Sequence, residues 1–335
     1  EYGKQGKHII VDQGQNQIAG YTDREDGLFE EVPVIIFGDH TRVIKYIDQP
    51  FFLGADGVKV LRSKDGNTDY KYLYYALKNV KIPNTGYNRH FKWLKESKIE
   101  YPDIKEQRKI VRILDKVSDI IQNRKRELSQ LDDLVRARFV EMFGNCKNMI
   151  SMSELCSIIT DGTHQPPKFQ DTGIPFIFVS NLANNTVTYN AEKFISEEAY
   201  NELYKRTPIE TGDLLLSTVG SYGHPAVVVE DTKFLFQRHI AYLKPKKELI
   251  NSFYLHSALL APDCQRQIEE RVKGVAQKTL NLSEIRKIMI PVPNMEGQNV
   301  FVDFIHQVEK SKDSVQKALD EAQLLFDSLM QQYFG

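Results

Sequence analysis

The sequence predicts a mixed α/β (α+β) fold in which two related globular domains are separated by two long helices that form an antiparallel coiled coil. Three observations predict it: an internal repeat, two long segments with helical apolar seams, and short apolar runs between turn-forming loops. The predicted boundaries in chain order are a first globular domain at 1–103, a first long helix at 104–144, a second globular domain at 145–293 and a second long helix at 294–335.

The internal repeat appears when the chain is aligned with itself at an offset of 191 residues. No gap is needed over the segments that end at Gly144 and at Gly335. The matched pairs are Pro102 with Pro293, Gln107 with Gln298, Val111 with Val302, Val117 with Val308, Leu128 with Leu319 and Leu134 with Leu325. Two unrelated amphipathic helices would share apolar positions, but not also the proline at the start and the Phe-Gly at the end. The repeat therefore predicts two copies of one unit.

Each copy continues from its proline into a segment whose apolar residues are spaced by four and three positions. The seam residues are Ile110, Leu114, Val117, Ile121, Leu128, Leu131 and Val135 in the first copy, and Phe301, Ile305, Val308, Val315, Leu319, Ala322 and Phe326 in the second. This spacing places them on one face of a helix and is typical of a coiled coil. Arg124 and Lys312 interrupt the seams, and polar residues at such positions fix the register at a cost in stability.

The charges of the two helical segments favour pairing within one chain. Residues 105–138 carry ten basic and six acidic side chains, whereas residues 296–329 carry three basic and seven acidic ones. An antiparallel arrangement is expected because each helix leaves a separate globular domain. The alternative is that these charges only decorate solvated helix faces, and the sequence leaves both interpretations open.

Both globular domains are predicted to mix short strands with short helices. Apolar runs at 34–37, 176–179 and 213–216 alternate with loops rich in Gly, Asn and Asp. A weaker correspondence at an offset of 182 matches 72–77 with 254–259, which predicts a short helix after a strand in each domain. The first domain is shorter by 47 residues, through variation between domains or through a missing N-terminal piece, since the chain opens at Glu1.

Composition and charge limit the function classes. With 335 residues, 41% of them hydrophobic, the chain suits a globular protein of two domains. No apolar run approaches the ~20 residues that span a bilayer, so we expect a cytoplasmic protein without a membrane partner. The three cysteines lack the spacing of a zinc site and are expected as reduced thiols. The formal charge of −1 means that any contact with nucleic acid has to come from local basic loops or from a partner.

The start of each long helix resembles a motif of the specificity subunits of type I restriction–modification systems, a prokaryotic family. The first copy runs from Tyr101 to Val111 as Tyr-Pro-Asp-Ile-Lys-Glu-Gln-Arg-Lys-Ile-Val. The second runs from Ile290 to Gln298 as Ile-Pro-Val-Pro-Asn-Met-Glu-Gly-Gln, with Gly297 where the first has Glu106. With the repeat, the resemblance covers essentially the whole chain.

The resemblance implies binding and positioning rather than catalysis. In this family each globular unit is a target-recognition domain that reads one half of a split site in double-stranded DNA. The helices act as spacers and dock two modification methyltransferase subunits, and a restriction (translocase) subunit completes the complex. S-adenosylmethionine and ATP with Mg are then expected on the partner subunits, with no catalytic residue, metal or cofactor in this chain.

Three loops of the first domain carry side chains suited to reading base edges, which requires donors and acceptors such as Arg, Gln and Asn on rigid loops. Loop 12–17 crowds amides onto a glycine-containing turn, loop 38–42 follows a buried-type strand, and loop 85–92 combines amide and guanidinium groups with a stacking ring. The predicted DNA-binding residues are Gln13, Gln15, Asn16, Arg42, Tyr87, Asn88, Arg89 and Lys92.

Four loops of the second domain have a similar composition: 161–165, 217–223, 237–239 and 273–279. Gly86 aligns with Gly274 and Arg89 with Gln277, so a position repeats while its chemistry changes, as expected if the domains read different half-sites. Each loop also fits an ordinary surface turn. The predicted DNA-binding residues are Thr163, His164, Thr218, Ser221, Tyr222, Arg238, Gln277 and Lys278.

Catalytic interpretations fail on the residues present. In Gln165-Pro166-Pro167-Lys168, glutamine and lysine replace the acceptor and the aromatic ring that an amino-methyltransferase needs around a flipped base. No Gly-rich cofactor loop follows a strand, and no Walker loop is present. Two classes stay open: a DNA-specificity subunit, and a coiled-coil interaction scaffold that binds something other than DNA, which the near-zero net charge supports.

Overall fold

The computed structural model describes residues 2–54, 56–274 and 277–335. The chain divides into two compact units. Unit 1 comprises Glu1–Arg126 and Val315–Gly335, and unit 2 comprises Glu127–Ser314. Each unit therefore contains one globular domain and a part of both long helices.

The secondary structure alternates short strands with helices. Up to the end of the first long helix, the elements are β1 (His8–Val11), β2 (Gly20–Thr22), β3 (Val34–Gly38), β4 (Ile44–Ile47), β5 (Phe51–Leu53), β6 (Val58–Leu61), α1 (Tyr70–Asn79), α2 (Phe91–Glu96) and α3 (Ile104–Phe143). The remaining elements are β7 (Met149–Ser151), α4 (Met152–Leu155), β8 (Cys156–Asp161), β9 (Ile174–Ile177), a 3-10 helix (Val179–Leu182), β10 (Phe194–Ile195), α5 (Glu197–Leu203), β11 (Leu214–Ser217), β12 (Pro225–Val227), β13 (Leu235–Phe236), β14 (Ile240–Pro245), α6 (Ser252–Leu260), α7 (Pro262–Arg271), α8 (Leu282–Ile285), β15 (Met289–Pro291) and α9 (Met295–Phe334).

The globular part of unit 1 is built on two three-stranded sheets. In the first sheet, β3 lies between β4 and β6 and is antiparallel to both. Residues 34–37 of β3 are fully buried, as expected for a short, continuous apolar strand. In the second sheet, β1 pairs antiparallel with β2 and parallel with β5. Side chains from both sheets, including Val11, Ile36 and Phe51, form one core.

Unit 2 repeats both sheet patterns. Strand β11 lies between β12 and β14 and is antiparallel to both, as β3 is to its neighbours. Strand β9 pairs antiparallel with β10 and parallel with β13, as β1 does with β2 and β5. Unit 2 also contains β8 beside β14 and the pair formed by β7 and β15. These additions account for part of the predicted length difference, and the shared pattern confirms that the domains are related.

The two predicted long helices are present as α3 and α9, each of 40 residues. In unit 1, Ile110 and Leu114 near the start of α3 share a core with Met330 near the end of α9. In unit 2, Phe139 near the end of α3 packs edge-on against Phe301 near the start of α9, with ring centroids 5.4 Å apart. The start of each helix thus packs against the end of the other, which confirms the antiparallel coiled coil.

An ion pair between the two long helices joins a cation of the acidic helix to an anion of the basic helix, the reverse of the predicted charge complementarity. Lys312, on the acidic helix, pairs with Asp132 of the basic helix at 2.9 Å and with its own neighbour Glu309 at 2.9 Å. Arg136 and Arg138 pair with acids three residues away on α3 itself. Since exposed pairs contribute roughly 0–1 kcal/mol, the apolar seam is the main source of the helix packing.

The repeated glutamines at the starts of the long helices have the same structural role. Gln107 is buried, and its side chain accepts a hydrogen bond from the backbone N–H of Asp69 at 3.0 Å and donates one to the carbonyl of Pro102 at 2.8 Å. Gln298 is buried as well, accepting from the N–H of Asn251 at 2.8 Å and donating to the carbonyl of Pro293 at 3.0 Å.

Asp69 and Asn251 are the N-caps of α1 and α6. Each glutamine therefore ties the start of a long helix to the start of a short helix earlier in the same domain, α1 or α6. The internal repeat in the sequence preserves this connection because an apolar replacement would leave buried backbone groups without partners.

Candidate nucleic-acid interface

The three predicted loops of the first domain lie together in the structure. The Thr41 hydroxyl donates to the carbonyl of Gln13 at 2.6 Å, which joins loop 38–42 to loop 12–17. The N–H of His90 donates to the Asp39 carbonyl at 2.8 Å, and the N–H of Phe91 donates to the Asp39 carboxylate at 2.8 Å. These bonds join loop 85–92 to loop 38–42. We call the three loops the first-domain loop cluster.

Within this cluster, some side chains of loop 12–17 hydrogen-bond inside the protein and others are exposed to solvent. The Gln13 amide is used inside the protein, since its oxygen accepts from the N–H of His40 at 3.2 Å and its nitrogen donates to the carbonyl of Asp56 at 3.2 Å. Gln13 therefore holds two loops together. Gln15 and Asn16 are exposed, and the Asn16 carbonyl accepts from Lys45.

Loop 85–92 presents an aromatic ring and a cation above a buried anchor. Tyr87 is 86% exposed, and its ring stacks on that of His40 with centroids 4.7 Å apart and planes 10° from parallel. Arg89 is exposed and has no hydrogen bond or ion pair among the described residues. His90 is fully buried and anchors the loop through Asp39.

The remaining polar residues of that loop have partners within the protein. The Asn88 side chain donates to the carbonyl of Thr85, so it stabilises the turn. The exposed Lys92 ammonium lies 4.2 Å from the centroid of the Trp93 ring. Gly86 adopts a φ of 74°, a conformation that favours glycine.

The four predicted loops of the second domain are joined in series by backbone hydrogen bonds. The N–H of Arg238 donates to the carbonyl of Thr163 at 3.1 Å, joining loop 237–239 to loop 161–165. The N–H of Thr218 donates to the carbonyl of His239 at 3.0 Å, and the N–H of Gly220 donates to the carbonyl of Lys278 at 3.2 Å. These bonds add loops 217–223 and 273–279. We call the four loops the second-domain loop cluster.

Cations are exposed at two places in the second-domain loop cluster. The Lys278 ammonium lies 3.5 Å from the Tyr222 hydroxyl and 5.8 Å from the centroid of that ring. Arg238 is exposed, and its Nε is 3.4 Å from Nε2 of His239. Burial and the neighbouring Arg238 lower the pKa of His239, so this imidazole is neutral near pH 7.

Other predicted residues of this cluster are placed differently. Thr218 is 5% exposed and supports the loops through its backbone, whereas Ser221 and Gln277 are exposed. Thr163 is half-buried and paired with Gln237. The predicted loop 273–279 also contains positions 275 and 276, which lie outside the described residues.

The aligned glycines of loops 85–92 and 273–279 share a backbone conformation. Gly274 has a φ of 103°, in the same positive range as Gly86. An added Cβ at Gly274 would lie 2.3 Å from the carbonyl oxygen of Gln277. Only glycine fits there without distortion, which supports the alignment of the two loops.

Sequence reasoning missed charged residues that contact these clusters. Arg206 donates to Asp161 at 2.8 Å, and Asp161 also contacts the predicted His164 at 2.7 Å. Arg206 is distant in sequence and carried no signal. Lys45 lies beneath the first-domain loop cluster, and a lysine within the otherwise apolar strand β4 was a signal that could have been used.

The described part of the chain contains neither a group of residues that could hold a metal ion nor a membrane-spanning helix. No group of three or more His, Cys, Asp or Glu residues is placed to hold a metal ion there. The same residues include no helix that is long and apolar enough to cross a membrane. Cys156 and Cys264 are buried free thiols, and burial raises the pKa of each to about 12. Such thiols are unreactive.

The fold and its loop clusters define a class of protein: a duplicated binding protein, in which two related domains present similarly placed loops with different side chains. A family model described as the type I restriction modification DNA specificity domain matches residues 10–132 and 147–323. These matches cover most of the chain, and the protein belongs to this family. The resemblance found in the sequence is thereby confirmed, and the scaffold alternative is not favoured.

Two curated relatives from Escherichia coli agree with the family. The chain is 31% identical over 170 residues to the type I restriction enzyme EcoBI specificity subunit, which covers 51% of this chain and 36% of that subunit. The chain thus spans about a third of that relative's length. It is 24% identical over 333 residues to the EcoR124I/EcoR124II specificity subunit, covering 92% of this chain and 81% of that subunit.

Solved structures share the fold. The S subunit of a type I restriction–modification system from M. genitalium matches with a TM-score of 0.55 and 17% identity, covering 100% of this chain and 90% of that one. A chain from a structural study of complex assembly in the type I R-M system matches with the same score and identity, covering 98% and 91%. The predicted fold class is confirmed by these neighbours.

Proposed function

We propose that this chain is the non-catalytic DNA-specificity subunit of a type I restriction–modification complex. It binds a bipartite site in double-stranded DNA and positions the methyltransferase and restriction subunits on it. The observation that carries the proposal is the pair of loop clusters: loops 38–42 and 217–223 follow the equivalent strands β3 and β11, loops 85–92 and 273–279 share a glycine of positive φ, and the side chains differ. Equivalent loops with different chemistry fit two domains that read different half-sites.

The proposal assigns a role to each segment of the chain. Segments 1–103 and 145–293 act as target-recognition domains, and segments 104–144 and 294–335 act as spacers. The repeated helix starts give the protein two similar faces, which suits two methyltransferase subunits. S-adenosylmethionine and ATP with Mg belong to the partner subunits, and the complex works in the cytoplasm.

The test is to express the chain with its cognate methyltransferase in cells that lack other DNA methylation and to sequence the methylome. We expect methylation at one bipartite motif with a fixed gap, and no methylation when either protein is expressed alone. Exchanging loop 85–92 for 273–279 should change one half of the motif and leave the other intact. Methylation of the same motif without this chain would contradict the proposal.

A further inference from the structure

A cationic pocket lies beside the first-domain loop cluster. The pocket has a volume of about 510 Å³ and is lined by Arg42, Lys45 and Lys78 together with the polar side chains of Gln15, Gln17 and Thr41. Its lining, which falls within the described residues, contains no Asp or Glu. A cavity of similar size beside Tyr222 is lined by Glu269 and Glu270 as well as by a cation. The cationic pocket therefore has the composition of an anion site.

Arg42 directs a guanidinium into this pocket from a backbone conformation that is uncommon for arginine. Its φ is 62°, in the left-handed region that disfavours residues with a Cβ. Its Nη1 donates to the carbonyl of Ile82 at 3.3 Å, and no carboxylate pairs with it among the described residues. The guanidinium keeps donors for a ligand. Residues in this backbone conformation cluster at functional sites, which supports a role for the Arg42 side chain.

Lys45 places a second positive charge at the base of the pocket. Its side chain is 2% exposed, and its ammonium donates to the carbonyl of Asn16 at 2.5 Å. The nearest carboxylate, that of Asp12, is 3.7 Å away and also accepts from the N–H of Gly14. Burial lowers the pKa of Lys45 although Asp12 acts in the opposite direction, and a bound anion would further favour the charged ammonium.

Lys78 supplies the third charge, at the exposed rim. It lies in the last turn of α1, and its ammonium is 3.4 Å from the Tyr74 hydroxyl. A lysine at this position also interacts favourably with the C-terminal end of the helix dipole. That role needs neither Arg42 nor Lys45, so it does not explain why three cations surround one cavity in a protein whose net charge is −1.

We propose that the cationic pocket binds a phosphate of the DNA backbone beside the first half-site, an inference that rests on the proposed function. Gln15, Thr41 and Arg42 belong both to the pocket and to the first-domain loop cluster, so a duplex read by these loops passes the pocket. Guanidinium and ammonium groups are the usual donors to phosphate. A phosphate contact fixes the position of the protein on DNA and carries no base information.

The test measures how the affinity of the chain, in complex with its methyltransferase, depends on salt concentration. The variants are Arg42→Gln, Lys78→Gln and the double variant, measured on duplexes with and without the methylated motif. The slope of log affinity against log salt should fall by about 0.9 for each phosphate that the variant no longer neutralises. Both duplexes should lose affinity by the same factor, which preserves specificity. A duplex in which a neutral methylphosphonate replaces the contacted phosphate should bind the wild type more weakly than the unmodified duplex does. The double variant should bind both duplexes with the same affinity.

The matched control is Lys64→Gln. Lys64 is exposed and follows the Leu61 end of β6, whereas the opposite end of that strand, at Val58, pairs with Gly38 of the first-domain loop cluster. The control should keep the wild-type slope. Thermal unfolding should show that all variants are folded.

Three outcomes would overturn the assignment. An unchanged slope with intact motif preference would reject the pocket and leave the proposed function standing. A second outcome is that inorganic phosphate raises the unfolding temperature of the wild type but not that of the double variant, while the salt slope stays unchanged. That result would identify a site for a free anion and not for DNA. Loss of all sequence preference in the wild-type complex would reject the proposed function and the pocket with it.

Discussion

At the scale of single residues, the first-domain loop cluster separates side chains that hold the loops from side chains that are free to bind. His90 and Gln13 use their polar groups within the protein, whereas Arg89 has no partner among the described residues. The anchored loop gives the backbone at Arg89 a defined position before binding, so that only the side chain has to be ordered when it contacts a base. Guanine is the usual partner of such an arginine in the major groove.

Replacing Arg89 with Ala should therefore relax sequence discrimination at one half-site. We expect a loss of ~1–3 kcal/mol in the preference for the correct base pair at a single position, because one bidentate contact disappears. The measurement is the affinity of the complex for duplexes with single base-pair changes. Lys98→Ala, at an exposed site after α2, serves as control. Unchanged discrimination at every position of the motif would contradict the assignment.

Tyr87 offers the outer face of its ring, because the inner face stacks on His40. Tyr87→Ala should weaken DNA binding because the exposed face of the ring packs against the duplex, and Tyr87→Phe should retain most of the affinity. The pair of variants distinguishes stacking from a hydrogen bond of the hydroxyl. Equal losses for Ala and Phe would assign the effect to the hydroxyl and not to the ring.

Individual contacts could be predicted only where a local pattern signalled them. The loops themselves followed from Gly, Asn and Gln near strand ends, and the Gly86 and Gly274 match followed from alignment. The burial of Thr218 and the hydrogen bonds of the Gln13 amide within the protein could not be predicted, because both depend on contacts with residues far away in sequence. The DNA contacts of the sixteen chosen residues stay predictions.

At the scale of secondary-structure elements, the glutamine that connects the start of each long helix to α1 or to α6 is repeated in both domains. Gln107→Leu and Gln298→Leu should each destabilise the protein by ~1–3 kcal/mol, since buried backbone groups lose their partners. Urea unfolding checks this. Gln122→Leu, at an exposed position of α3, should have little effect. A loss confined to one of the two buried sites would show that the repeated connections are not equivalent.

A histidine on α6 should make the stability of unit 2 depend on pH. Burial lowers the pKa of His256 from its ordinary 6.5, and its Nε2 lies 3.0 Å from the carbonyl oxygen of Asn185. Around and below pH 6.5 the unfolded chain binds a proton that the folded protein binds less readily. The stability is therefore complete above the unfolded pKa and declines as the pH falls towards the folded pKa.

The comparison is the free energy of unfolding at pH 7.5 and at pH 5.5, for the wild type and for His256→Gln. Glutamine can still donate to Asn185 but does not titrate, so the variant should lose less stability in acid. An equal acid loss in His256→Gln and the wild type would show that His256 does not contribute.

At the scale of the whole molecule, the parts of the fold that could be predicted were those encoded over long, regular stretches. The 191-residue repeat and the seams predicted the duplication and the two helices, because forty helical residues repeat one pattern many times. The parallel pairs β1 with β5 and β9 with β13, and the pairing of β7 with β15, could not be predicted. They join strands far apart in sequence, and no local pattern specifies the partner.

Helix length gives the last prediction, which concerns the distance between the two recognised half-sites. A 40-residue helix is ~60 Å long at 1.5 Å per residue, and seven added residues lengthen it by ~10 Å, about three base pairs of DNA. The insertion belongs after Arg126 in α3 and after Ser314 in α9, where the two compact units divide. A full heptad keeps the apolar seam in register.

With both insertions, methylome sequencing should find the same two half-sites separated by a longer gap. An insertion in one helix alone should disrupt pairing, lower the unfolding temperature and reduce methylation, because the two seams no longer match along their length. If the doubly extended protein were folded and still directed methylation to the original motif with its original gap, the helices would not set the spacing. The gap would then be determined within the recognition domains or by the partner subunits.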